Sequence, residues 1–141
     1  MNWHNPADTA IAAILRDTRR VALMGASANP ARPSANVLRW LLARGYDVTA
    51  INPGLSGMVF GAPVVARLAD LDRPVDMVDV FRNPEAAGAV VDEILALPWH
   101  PKVIWMQLGV VNEAAAERAG TAGITVVMDR CPVIEAGRLR V

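Results

Sequence analysis

Apolar residues fall along this chain in short, nearly unbroken runs separated by stretches of helical spacing. The first run, Val21-Ala22-Leu23-Met24, ends at Gly25 and reads as a buried strand that stops at a tight turn. Helical spacing resumes at Pro33 or Ser34, with Val37, Leu38, Leu41 and Leu42 on one stripe that stops at Arg44-Gly45. Tyr46 to Ile51 makes a second strand and closes a βαβ unit of about thirty residues, whose parallel crossover must be right-handed. Further strands are expected at Met77 to Phe81, Val103 to Gln107 and Ile124 to Met128. Between them, Pro84 opens a helix with Ala87, Val90, Val91, Ile94 and Leu95 inward and Pro98 ending it. Asn112 caps another that runs to about Ala119.

The flanking stretches are less regular. Asn5-Pro6-Ala7-Asp8 reads as a helix start, with Asn5 as the cap and Pro6 in the first helical position; Ile11, Ile14 and Leu15 then share a face. This helix, within residues 1–19, is expected to pack on the outside of the sheet. Gly54 to Pro74 is dense in glycine and proline and predicts a loop with at most a short helix around Ala66 to Leu71. Cys131 to Val141 reads as a short, partly polar tail, and Arg19-Arg20 as a solvated helix end. Strands that are apolar throughout and alternate with helices indicate an α/β, doubly wound domain over residues 1–141. Its sheet is mainly five parallel strands with helices on both faces.

Composition narrows the partners. Fourteen basic residues balance fourteen acidic ones, so no electrostatic pull toward nucleic acid or a membrane surface is expected. The single cysteine, Cys131, excludes an internal disulfide framework and a multi-cysteine metal site. The first residues lack the basic and apolar regions of a secretion signal, and no apolar run is long enough to cross a bilayer. These features predict a soluble, cytoplasmic protein, compatible with a homo-oligomer but not demanding one.

Candidate chemistry gathers where strands end. Doubly wound sheets bind ligands beyond the carboxyl ends of their strands, and the ends here are Gly25-Ala26-Ser27, Asn52-Pro53, Phe81-Arg82-Asn83, Gln107-Leu108-Gly109 and Asp129-Arg130-Cys131. A strand, a small-residue turn and a helix start at Pro33-Ser34 point backbone N–H groups and the positive helix dipole at one spot, a setting for phosphate. Ser27 and Ser34 add hydroxyls, and Arg32 adds a guanidinium whose fork fits phosphate oxygens. The dinucleotide fingerprint G-x-G-x-x-G is not met, because Ser27 and Pro30 come after Gly25. The second strand ends in Asn52 rather than the acidic residue that holds a nicotinamide cofactor's ribose.

Five blocks carry a family resemblance: Gly25-Ala26-Ser27-x-x-Pro30-x-Arg32-Pro33-Ser34, Ile51-Asn52-Pro53-Gly54, Val78-Asp79-Val80-Phe81-Arg82, Trp105-Met106-Gln107-Leu108-Gly109-Val110-Val111-Asn112 and Met128-Asp129-Arg130-Cys131-Pro132. In order and spacing they resemble the stand-alone CoA-binding proteins of bacteria and archaea, over about Val21 to Arg140. That family has the Rossmann-like fold also seen in the nucleotide-binding domain of the succinyl-CoA synthetase alpha subunit. The resemblance implies that Gly25, Ala26 and Ser27 hold the diphosphate of coenzyme A, with Arg32, Pro33 and Ser34 beside it. Asn52 and Pro53 would line the ribose and adenine side. Phe81 and Arg82 would border the cleft, Met106, Gln107, Leu108 and Gly109 would face the pantetheine arm, and Arg130 would be a further cofactor-binding residue.

An enzyme needs a nucleophile with its base, or paired carboxylates. His4 and His100 lie far in sequence from the strand ends, and no metal-ligand spacing occurs. The synthetases sharing this fold carry their phosphorylated histidine in a further domain, so the resemblance implies binding of CoA or a short acyl-CoA by a non-catalytic carrier or sensor. Two alternatives stand beside it: an NAD(P)- or other nucleotide-dependent redox enzyme, and a regulatory subunit that reports CoA levels to a protein partner. Asp79 within an apolar strand needs a partner if buried, and capping a backbone turn suits it better than catalysis. Gln107 suits either pantetheine amides or a neighbouring loop. The Cys131 thiol reads as a small apolar residue or as a site for a mixed disulfide with CoA under oxidation.

Overall fold

The computed structural model describes residues 3–141. Helix α1 (Asp8–Asp17) leads into strand β1 (Arg20–Met24), helix α2 (Pro33–Ala43) and strand β2 (Asp47–Ile51). A hairpin of β3 (Met58–Val59) and β4 (Ala62–Val65) comes next, then a 3-10 turn at Leu68–Asp70. Strand β5 (Met77–Val80), α3 (Pro84–Leu95), β6 (Val103–Met106), α4 (Glu113–Thr121), β7 (Thr125–Val127) and α5 (Pro132–Leu139) complete the chain.

All seven strands join one sheet in the order β3-β4-β2-β1-β5-β6-β7. Pairing is parallel except between β3 and β4. The chain builds outward from β1 through β2, returns to the other flank of β1 as β5, and then builds the opposite way. That reversal brings the carboxyl ends of β1, β2 and β5 around one crevice.

Alternation along the strands sorts the core into two layers. Ala22, Met24, Val78, Val80, Ile104 and Met106 pack with residues of α3 and α4, such as Val91 and Ala115. Val21, Leu23, Met77, Val103 and Trp105 pack with Ile11 of α1, Leu38 of α2 and Ala136 of α5. Helices therefore cover both faces, as the periodicity implies. Two helix starts match the sequence closely: the Asn83 and Asn112 side chains accept hydrogen bonds from the N–H groups of Ala86 (2.8 Å) and Ala115 (3.0 Å).

Four expectations need correction. The Gly54 to Pro74 stretch is not only a loop, because β4 extends the parallel sheet beyond β2 and β3 closes its edge. Pro63 is tolerated because it lies in this marginal hairpin, opposite Met58 of a two-residue edge strand. The tail is helical: α5 lies against α1, and Arg138 reaches Asp8 through two bonds of 2.8 and 2.9 Å while also gripping buried Glu135 at 2.9 Å. Arg20 is not a solvated helix end, since it starts β1 and its Nε donates to Asp47 at 3.1 Å. Asn5 is not the cap of α1, a position taken by Ala7. Instead its side-chain amide donates to the Met128 carbonyl (2.9 Å) and accepts from the Met128 N–H (2.8 Å), continuing the β7 edge as a neighbouring strand would.

Asn5 thus ties the start of the chain to its last strand with both ends of one amide. Replacing it with alanine leaves both Met128 groups without these partners, and Asn5→Ala is expected to destabilise the fold by about 1–3 kcal/mol in urea unfolding. An unchanged midpoint would show that the tie contributes nothing.

Candidate functional site

The turn that leaves Met24 sets the site. Gly25 adopts φ +82°, a left-handed backbone that an L side chain resists, and a Cβ built there would lie 2.2 Å from the Phe81 carbonyl oxygen. The close approach arises because β1 and β5 keep pairing at their ends: the Phe81 N–H donates to the Met24 carbonyl at 2.9 Å, while the Gly25 N–H donates to Ile51 on the other side at 3.2 Å. From this junction the chain turns into α2 through local bonds. Ser27 Oγ accepts from the Asn29 N–H (3.1 Å), and Asn29 Oδ1 accepts from the Ala31 N–H (3.0 Å). The N–H groups of Ala26, Ser27 and Ser34 have no protein acceptor among the described residues. Arg32 is the N-cap residue of α2, Pro33 occupies its first turn, and Ser34 is buried there rather than capping.

These residues enclose a cavity of about 310 Å³ lined by Gly25, Ala26, Ser27, Arg32, Pro33 and Ser34, with Asn52 and Phe81 on its far wall. A larger cleft of about 680 Å³ adjoins it and shares Gly25, Asn52 and Phe81. Pro53 and Arg82 line this second lobe, together with Ala66, Arg67 and Glu93. Ten of the residues expected from the sequence thus border one continuous crevice. Asn52 shapes it: its amide donates to the Ala26 carbonyl (2.7 Å) and its Oδ1 accepts from the Gly54 N–H (2.7 Å), locking the β1 and β2 ends together. Ala66, Arg67 and Glu93 were not anticipated. The first two come directly after β4, a strand hidden by glycine and proline, and Glu93 lies on the exposed face of α3.

The β6 and β7 ends lie outside this crevice. Met106 is fully buried in the core, Leu108 is exposed, and the Gly109 N–H donates to Asp129 Oδ1 at 2.8 Å. Arg130 lines a separate depression of about 240 Å³ with His4, Asn5 and Asp129. Its carbonyl accepts from the Trp105 indole at 2.8 Å. The other histidine, His100, sits 3.2 Å from the Leu95 carbonyl at the end of α3. No group of three His, Cys, Asp or Glu side chains among the described residues is arranged to hold a metal ion.

Asp79 does not cap a turn. It is fully buried on β5, between Leu23 of β1 and Trp105 of β6, and its Oδ1 accepts from Gln107 Nε2 at 2.6 Å while Oδ2 has no partner among the described residues. Burial pushes its carboxyl up to about 7, against the smaller opposing effect of the Gln107 hydrogen bond. Gln107 is buried too, so it holds the neighbouring strand and is not turned to the crevice.

Residues 19–137 match the family model described as a CoA binding domain. This chain belongs to that family. The CoA binding domain sequence is also 35% identical over 127 residues to the uncharacterized protein YneT of Bacillus subtilis (strain 168), covering 90% of this chain and 92% of that protein. Among solved structures, cell-free ID.343 from Thermus thermophilus is 39% identical with a TM-score of 0.87, over 95% of this chain and 99% of that one. A hypothetical protein from Pyrococcus horikoshii OT3 is 31% identical with a TM-score of 0.88, and both chains are covered fully. No helix among the described residues is long and apolar enough to cross a membrane.

These contacts set two expected outcomes. Gly25→Ala should lower stability by roughly 3 kcal/mol in chemical unfolding, since the methyl meets the Phe81 carbonyl and φ is unfavourable; a loss under about half a kcal/mol would mean the junction yields freely. Asp79 binds its proton more tightly folded than unfolded, so stability should fall as pH rises from about 4 to about 7 and level off above. Asp79→Asn should flatten that slope in urea midpoints measured across the range, and an unaltered slope would assign it to another group.

Proposed function

We propose that this CoA binding domain binds coenzyme A or a short acyl-CoA in the crevice at the β1, β2 and β5 ends, as a non-catalytic carrier or sensor. The observation that carries the reading is the cavity at the start of α2. It combines backbone N–H groups that have no protein acceptor among the described residues, a helix N-terminus and the Arg32 guanidinium. A diphosphate takes that donor set naturally, and membership of a family described as a CoA binding domain supports coenzyme A as the molecule that carries it. The adjoining lobe, bordered by Asn52, Pro53 and Phe81, offers an apolar and amide-lined wall for the adenosine.

Asn52 weighs against a nicotinamide dinucleotide. Both ends of its amide are engaged by Ala26 and Gly54, and no carboxylate stands at the β2 end to hold a ribose diol. The same crevice lacks a nucleophile beside a base, so binding is the chemistry its side chains support.

Titration calorimetry of the purified protein with CoA, acetyl-CoA, NAD and ATP tests the reading. CoA species should bind in the micromolar range, and Arg32→Ala should weaken them about tenfold or more by removing a charge-assisted contact. Ser27→Ala should cost less, about threefold, because its hydroxyl also holds the turn. Binding of NAD but not CoA would overturn the proposal.

A further inference from the structure

The crevice has two lobes, and each carries its own arginines. Arg32 lines the smaller one, whereas Arg67 and Arg82 line the larger, on the far side of the Gly25, Asn52 and Phe81 waist. Arg82 lies just beyond β5, and its Cδ comes 3.1 Å from where a Gly25 side chain would begin, so its stem lies across the junction. It has no ion-pair partner among the described residues. Arg67 lies just beyond β4, and its side chain is 72% exposed, with one long contact of 3.7 Å to Asp70. Such an exposed pair holds a guanidinium only weakly, leaving it free to turn to a ligand. Glu93 is the single acidic side chain lining this lobe, which therefore keeps an excess of positive charge.

A ligand with one phosphate locus accounts for Arg32 in the first lobe, but an uncharged adenosine in the second leaves Arg67 and Arg82 without a role. Coenzyme A has two such loci: the diphosphate, and a separate monophosphate on the 3′ carbon of its ribose. We infer that Arg67 and Arg82 form a second anion subsite that takes the ribose 3′-phosphate, making the domain selective for CoA over nucleotides that lack this group. The inference rests on the proposed function for the ligand, but the two arginines and their lobe are independent of the α2 cavity that supports it. Each guanidinium presents a planar set of donors suited to a dianionic phosphate. Glu93 opposes an unselective anion hold by keeping the lobe from becoming a purely cationic patch.

The test compares CoA with 3′-dephospho-CoA by calorimetry on the intact chain, using wild type, Arg67→Ala, Arg82→Ala and the double variant. Both side chains are solvent-facing, and circular dichroism melts check that the variants stay folded. Wild type should prefer CoA by about tenfold or more. Each single substitution should weaken CoA about fivefold while leaving dephospho-CoA within about twofold, and the double variant should bind the two ligands alike. Equal wild-type affinity for both overturns the subsite while leaving CoA binding intact. Equal weakening of both ligands by the substitutions also overturns it, because the arginines would then act on the shared part of the molecule. If wild type binds neither ligand, the proposed function itself fails and the inference falls with it.

Discussion

The close approach of β1 and β5 at Gly25 and Phe81 is the constraint on which the rest of the crevice depends. A parallel sheet that reverses its direction of growth leaves a gap where the connections depart to opposite faces. Here that gap is narrowed until a backbone carbonyl occupies the space of a side chain. The narrowing lets Gly25 bridge to Ile51 on one flank while Met24 still pairs with Phe81 on the other. Three strand ends are thereby held at fixed spacing by backbone hydrogen bonds, to which the Asn52 amide adds its tie between the β1 and β2 ends. The backbone donors of Ala26 and Ser27, and the start of α2 behind them, inherit their positions from that junction.

How much of this was legible depends on whether the signal was local. The five long parallel runs that become β1, β2, β5, β6 and β7, the α2, α3 and α4 stripes and the Gly25 turn are written in runs and periods that survive without tertiary context, and they appear where those patterns put them. The hairpin after β2 was not legible, because Gly57, Gly61 and Pro63 dominate its composition and its strands are short. It forms because β2 offers an unpaired edge, and Arg39 of α2 lies 5.0 Å from the Phe60 ring at the hairpin turn. Helix α5 was hidden for a related reason. Eight residues carry little helical preference alone, and packing on α1 holds them together with the Arg138 clamp on Asp8 and Glu135.

The candidate site divides along the same line. Gly25 to Ser34, Asn52, Pro53, Phe81 and Arg82 were readable because strand ends and turn residues mark them in the chain. Arg67 and Glu93 were not, since they reach the crevice only through a strand invisible to composition and through a helix face that reads as solvent. Gln107 and Asp79 show a different limit. Polarity at a strand end makes Gln107 look like ligand chemistry and Asp79 like a turn cap, but alternation turns both toward the buried layer that holds Trp105, where they satisfy one another in part. A strand position one residue along faces the other way, so polarity at a strand end marks a site only together with its phase.

The distribution of polar groups also bears on the proposed binding role. Asn29, Asn52 and Ser27 each use a side-chain oxygen to fix a backbone turn, which makes the corner rigid before any ligand arrives. The groups that stay available are mostly donors: backbone N–H, serine hydroxyl and arginine, with Glu93 the one carboxylate on the lining of the larger lobe. The carboxyl whose proton affinity burial moves toward neutral pH, Asp79, is sealed in the core against Gln107, and its unpaired oxygen is shielded from solvent. The shifted carboxyl and ligand access are thus separated by the thickness of a strand. Under the proposed function, a site assembled in this way holds a charged nucleotide against donors fixed by the fold.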